Sequence, residues 1–322
     1  MEKVAVLMSY YDGDSYIEEQ IESILNQEVD PNVQLDLFVR DDGSPTSDLA
    51  ILKKYHHEKK INLIKGANLG VKMSFFKLLR DIKDYDFYFF SDQDDVWVKD
   101  KVQVMLNEFK KYDNDDPVGI YSDLFVADKD AKPTGRLMKK GILPVTPSDP
   151  RSSSKYILRY YEVTGASFAI NETCRKMAVA MGEKVFEKTL MHDATIAFML
   201  TSVGKLVYMD IPLVYYRQHG NNLIGAKEQT SLLENIRNIK AIIEGKVKKI
   251  YELYIVNENC KALINPERAL LIRKIMTHRS CKSPMYMWKL REDVYGKHKL
   301  ISQLFFLIFG ISAVRKYQNK IY

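Results

Sequence analysis

Only three cysteines occur in 322 residues, Cys174, Cys260 and Cys281, odd in number and far apart, with no CxxC spacing. They are expected to be reduced thiols or core fillers. No GxGxxG occurs, and "GANLGVK" lacks the GxxxxGK[ST] spacing, so P-loop and Rossmann-cofactor readings lose most of their weight. The N-terminus "MEKVAVLMSYY" has no basic segment followed by a signal-type apolar stretch, and the expected compartment is cytosolic. There is no internal repeat. The most apolar segment, "LISQLFFLIFGISAV", is shorter than the ~20 residues a membrane-spanning helix needs.

What is present is ordinary in bulk and uneven in distribution. Hydrophobic content of 46% and charged content of 28% are those of a globular protein, and 322 residues suit one large domain plus an appendage. The net charge of +6 conceals an asymmetry: from Lys261 onward there are 13 Lys/Arg against 3 Asp/Glu, net +10, which leaves −4 for the first 260 residues. The basicity belongs to the tail. Flanked by Lys297, Lys299, Arg315, Lys316 and Lys320, the apolar segment suits an interfacial helix on an anionic membrane. A terminal helix packed on the domain, or a dimer seam, is the equal alternative.

The first half alternates strands and helices. "VAVLMS", "VQLDLFV", "INLI" and "DFYFF" read as strands, with helices over "YIEEQIESILNQ", "VKMSFFKLLRDI" and about 99–112. This pattern predicts an α/β fold with a mostly parallel sheet flanked by helices. The four strands end in the polar or glycine-containing loops "YYDGD", "DDGS", "ANLG" and "SDQDD", which a parallel sheet brings to one edge. After "VGIYSDLFVAD", residues 129–154 read as a surface loop. "VTGASFAI", a helix near 172–181, "MHDATIAFMLTSVG" and the strands "KLVYMD" and "PLVYYRQHG" follow. Beyond residue 225 long helical patterns take over, predicting domains at 1–225 and 226–322.

"SDQDDVW" crowds Asp92, Asp94 and Asp95 behind a buried aromatic strand. Like charges this close repel unless protons, donors or a cation offset them, and these hard oxygens suit Mg²⁺ or Mn²⁺ bridging two phosphates. Alone, such a cluster is more often a solvated turn or a helix cap. In order, however, "DDGS", "NLG", "SDQDDVW" and a later "HD" resemble family 2 glycosyltransferases of the GT-A fold over about residues 3–225. With "YRQHGNN", they resemble the bacterial rhamnosyltransferase subgroup that makes surface polysaccharide.

That resemblance implies roles residue by residue. Tyr10 or Tyr11, with Asp42, would hold the nucleotide base, Asp42 accepting the imide N–H of uracil or thymine. Asn68, Gln93, Gly165 and Arg217 would contact the nucleotide sugar, Arg217 through the pyrophosphate. Asp92 would lie near the ribose or the metal shell, and Asp94, Asp95 and His219 would hold the metal, with helix capping the alternative for Asp95. Asp193 would be the general base of an inverting transferase, and a helix N-cap is its blander alternative. His192 stands where many relatives carry Glu, which leaves its role open. The implied donor is a dTDP- or UDP-sugar, dTDP-L-rhamnose favoured over UDP-galactose, UDP-glucose and UDP-N-acetylhexosamine. The implied acceptor is a lipid-linked saccharide at the cytoplasmic membrane. A sugar nucleotidyltransferase would need a glycine-rich basic loop near the N-terminus, and "SYYDGDSYIEEQ" has one glycine and no Lys or Arg. A non-catalytic protein binding membrane or nucleic acid through its tail leaves the acids unexplained, and the tail's apolar interleaving disfavours nucleic acid.

Overall fold

The structure, a computed structural model, describes residues 1–13, 15–45, 49–138, 163–189, 191–219, 238–260 and 312–317. The chain divides into two compact units. One comprises Met1–Thr146, Val163–Leu200 and Gly204–Ala226; the other comprises Pro147–Glu162, Thr201–Val203 and Lys227–Tyr322.

The first unit holds one nine-stranded sheet. Its parallel half is β1 (Glu2–Tyr10), β2 (Val33–Asp41), β3 (Asn62–Lys65) and β4 (Phe87–Ser91), side by side in the order β3-β2-β1-β4. The links are α1 (Ile17–Leu25), α2 (Ala50–His57) and α3 (Val71–Asp81). β4 is buried along its whole length, as a central parallel strand must be, which accounts for the unbroken run "FYFFS". In α1, Ile17, Ile21 and Ile24 fall on one face and are fully buried, each contributing about 1.5–3 kcal/mol by apolar burial.

Beyond β4 the sheet departs from the parallel expectation. β8 (Phe168–Asn171) inserts antiparallel between β4 and β6 (Val118–Ala127), and β9 (Lys205–Arg217) then runs parallel to β6. β5 (Val96–Trp97) closes that edge antiparallel to β9. The two strands predicted as "KLVYMD" and "PLVYYR" are one, β9, continuing through Pro212. The register against β6 shifts at Ser122/Asp123, so an irregularity absorbs the N–H that proline lacks. The expected loop at 129–154 begins as β7 (Pro133–Leu137), hairpinned on β6. The remainder of that loop from residue 139 lies outside the described residues, as does most of the apolar segment 300–314.

Helices α4 (Lys101–Phe109), α5 (Glu172–Ala180), α6 (Glu183–Lys188) and α7 (His192–Val203), the last of which has its final three residues in the second unit, follow along the chain. Of the second unit, α8 (Ile239–Asn259) buries Ile243, Val247, Ile250 and Leu253 at helical spacing. Among the described residues no helix is long and apolar enough to cross a membrane. Cys174 and Cys260 are free and buried, in keeping with core fillers; Cys281 lies outside the described residues.

Candidate active site

The loops after β1 to β4 meet at the carboxyl edge of the parallel half, and the chain fastens them to one another. Alternation along β1 turns Tyr10 into the core, fully buried, and leaves Tyr11 outside, 47% exposed. Of the two tyrosines, Tyr11 is therefore the one open to a ligand. Gln93 stitches the β1 and β4 loops, accepting from Tyr11 N–H at 2.8 Å and donating to Tyr11 C=O at 3.2 Å. Asp42 is buried and paired with Arg40, and its carboxylate accepts from the Leu69 and Gly70 N–H groups at 3.0 and 2.8 Å. It locks the β2 loop to the β3 loop. Asn68 is exposed on the latter, beside Gly43, whose φ of +81° and 2.7 Å gap from a Cβ to the Asn68 nitrogen require glycine.

The acid cluster splits into an inner and an outer part. Asp95 is fully buried: Oδ1 accepts from Arg217 N–H at 3.0 Å, while Oδ2 has no hydrogen-bond partner. It does not cap α4, whose cap residue is Asp100. Asp94 faces outward, with Oδ2 2.8 Å from His219 Nε2, and the His219 ring lies 4.9 Å from that of Tyr16. Burial holds Asp92 above the ordinary carboxylate range, reinforced by Asp94 and Asp193 and opposed by Lys101. Burial and then Asp92, Asp95, Asp94 and Asp193 likewise raise the phenol of Tyr216. The four carboxylates thus share one electrostatic neighbourhood, although Asp193 comes from a helix about a hundred residues further along the chain.

Arg217 lies 1% exposed and fastens this region from within. Its guanidinium donates to Asp94 C=O at 2.7 Å, Lys129 C=O at 2.6 Å and Glu19 at 2.5 Å, and sits 4.4 Å from the Tyr16 ring centre. In this structure the group expected to meet a pyrophosphate is engaged with the protein's own loop.

His192 and Asp193 open α7. Asp193 lies in the first turn, not at the cap, which is Met191, and its Oδ1 accepts Ala194 N–H at 2.6 Å. A Cβ on Gly165 would stand 3.1 Å from His192 Nε2 and 3.5 Å from Asp193 Oδ2, so a glycine is what lets the turn Gly165–Ser167 approach both. His192 stacks on Phe75 with ring centres 4.0 Å apart, and both its ring nitrogens are buried without hydrogen-bond partners. Burial pushes its pKa down to about 3. A neutral imidazole of such low basicity is a poor proton acceptor.

Two residues of this region escape a motif-based reading. Tyr216 is hidden in the strand run "LVYYR". Lys101 is fully buried in the first turn of α4, the end of a helix that disfavours a cation. A lysine there, six residues behind three acids, is the signal that the sequence offers.

Among the described residues, no group of three or more His, Cys, Asp or Glu side chains is arranged to hold a metal by itself. The outward pair of Asp94 and His219 does fit a divalent cation that takes its remaining ligands from a diphosphate.

Comparison with known proteins agrees with this architecture. The family model "Glycosyl transferase family 2" matches residues 5–168, half of the chain, ending before Asp193 and His219. The dTDP-rhamnosyl transferase RfbG of Shigella flexneri is 27% identical over 231 residues, 68% of this chain and 74% of that protein. An uncharacterised glycosyltransferase of Nostoc sp. is 25% identical over 311 residues, 93% of this chain and 88% of that protein. Among solved structures, S. aureus TarS 1–349 in complex with UDP-GlcNAc matches with a TM-score of 0.53 at 14% identity, covering 99% of this chain and 91% of that one, a likeness of fold. With its α/β sheet, the clustered acids at the sheet's carboxyl edge and a match over half its length, this chain belongs to glycosyl transferase family 2 and has the GT-A fold.

Proposed function

We propose that the protein is a metal-dependent inverting transferase that moves L-rhamnose from dTDP-L-rhamnose to a lipid-linked saccharide at the inner face of the cell membrane, in cell-surface polysaccharide synthesis. The observation that supports this reading is the shared neighbourhood of Asp193 and the acid cluster, because an inverting transfer needs a base carboxylate close to the group that holds the diphosphate. The rhamnose assignment draws on the "SDQDDVW" and "YRQHGNN" motifs and on the relative from Shigella flexneri. The membrane assignment draws on the basic tail.

In this reading Asp193 takes the proton of the acceptor hydroxyl while that oxygen bonds to the sugar's C1. The C1–phosphate oxygen bond breaks on the opposite face, inverting the carbon. Asp94 and His219 would hold the cation, with Asp95 behind them. When bound, Mn²⁺ or Mg²⁺ supplies Lewis-acid stabilisation of charge on the departing nucleoside diphosphate. Tyr11 packs on the base, and Asp42 has acceptor capacity left on Oδ2 for the imide N–H of thymine or uracil.

The test is nucleoside diphosphate release from dTDP-L-rhamnose, UDP-galactose, UDP-glucose and UDP-N-acetylglucosamine, each with MnCl₂ and with EDTA. Preferred turnover of dTDP-L-rhamnose in Mn²⁺ is expected. Turnover of a UDP-sugar alone would reassign the donor, and release from none of the four would overturn the reading.

A further inference from the structure

Lys101 is the most unusual charged residue of the described structure. A buried ammonium is costly unless partnered, and this one is fully buried in the first turn of its helix. Its Nζ donates to Ala166 C=O at 2.8 Å and lies 3.5 Å from the centre of the Trp97 ring. Burial lowers its pKa, and the fields of Asp95 and Asp92 oppose that. On one side stands the Trp97 ring of β5, two residues past Asp95 of the cluster. On the other stands the Gly165–Ser167 turn, held internally by the bonds from Ser167 N–H and Oγ to Thr164 C=O. The first residue of that turn is the glycine that closes on His192 and Asp193.

We propose that Lys101 is a positioning residue for sugar transfer: its side chain fastens the Gly165–Ser167 turn to Trp97, in the strand that directly follows the acid cluster. It thereby fixes the gap between the diphosphate end of the site, Asp94 with His219, and the carboxylate of Asp193. This rests on the roles given to those residues under the proposed function. The gap matters because a misplacement of about 1 Å costs about 10²-fold in rate even when the altered residue touches no reacting atom.

Lys101→Met keeps most of the stem and removes the donor and the charge. Two measurements decide. Hydrogen exchange needs no substrate: amides in the peptide 163–171 are expected to exchange at least about tenfold faster than in the parent, with β1 and β4 unchanged. Unchanged exchange would show that the bond to Ala166 holds nothing, and would overturn the inference whatever the reaction. For turnover, the assay uses whichever of the four nucleotide sugars the parent consumes in MnCl₂. There kcat should fall about 10- to 100-fold, with the donor KM and the Kd of the free nucleoside diphosphate within about threefold. A kcat within about threefold of the parent, or a loss of nucleotide affinity as large as the loss of kcat, would refute a positioning role. If the parent consumes none of the sugars, the proposed function fails while the exchange result still judges the fastening. Should Lys101→Met lack a cooperative melt, Lys101→Arg keeps a charged donor and should preserve protection at 163–171; loss of protection there would count against the proposal.

Discussion

Asp193 and His192 are chain neighbours on the first turn of α7, and their surroundings give them opposite chemistry. Asp193 has one oxygen on a backbone N–H and belongs to an acidic neighbourhood, so asparagine keeps its shape and loses its basicity. Asp193→Asn is expected to bind donor and Mn²⁺ as the parent does and to lose transfer by at least about a hundredfold, read as kcat beside a nucleotide Kd. Turnover within a few fold of the parent would leave Asp193 a helix-end residue. His192 is instead a neutral ring in an aromatic setting, formed by Phe75 and Phe90, with two unpartnered nitrogens. Its depressed pKa carries a definite sign: below about 6.5 the unfolded chain binds a proton that the folded chain refuses until about pH 3. The histidine therefore costs stability progressively as pH falls through that window. His192→Phe, which the ring stack accommodates, should raise stability by about 1 kcal/mol at pH 7 and by more at pH 5, measured by urea melts at both values. An equal shift at the two pH values would contradict burial of a neutral imidazole. The "HD" pair is legible in the sequence, whereas its division of labour is not, because Phe75, Phe90 and Gly165 lie far away in the chain.

At the scale of elements, the end of β9 does for the acid loop what no local sequence does. Arg217 ties Glu19 of α1, the carbonyl of Asp94 and the carbonyl of Lys129 to one guanidinium. Arg217→Met should cost about 2–3 kcal/mol, less than a fully buried pair because Glu19 is half exposed, and should weaken Mn²⁺-dependent nucleotide binding as well. A urea melt and a nucleotide titration check this; weakened stability with unchanged binding would mean that the loop keeps its shape unaided. With partners at positions 19, 94 and 129, the fastening role of Arg217 is spread along the chain and no motif displays it. The parallel half of the sheet is legible because each of its strands carries its own period and its own helix. β8 is four residues long and β5 two, too short for a period to declare direction, so the antiparallel insertion appears only in the structure. Pro212 marks a strand break by local rules, and the pairing with β6 overrides it.

For the whole molecule, ligand binding and stability are linked. Mn²⁺ with dTDP at about 100 times its Kd should stabilise the protein by about 2.7 kcal/mol, and EDTA should remove most of that gain. Asp94→Ala should melt as the parent does without ligand and show little stabilisation with it, by calorimetry in MnCl₂; equal stabilisation of mutant and parent would take Asp94 out of the metal's hold. The same map of long-range fastenings bears on how the molecule is made. Strands β1 to β4 and their helices are complete by Ser91, whereas the partners of Asp94 on β9 and beyond lie 123 and 125 residues further along the chain. At about 5–20 residues per second on the ribosome, that separation amounts to roughly 6–25 s of synthesis. Through that interval the nascent chain carries its acids without Arg217 or His219, and without β9 to pair with β5. On the roles proposed for Asp94 and His219, catalytic competence would therefore arrive late in translation, only after residue 219 has been made.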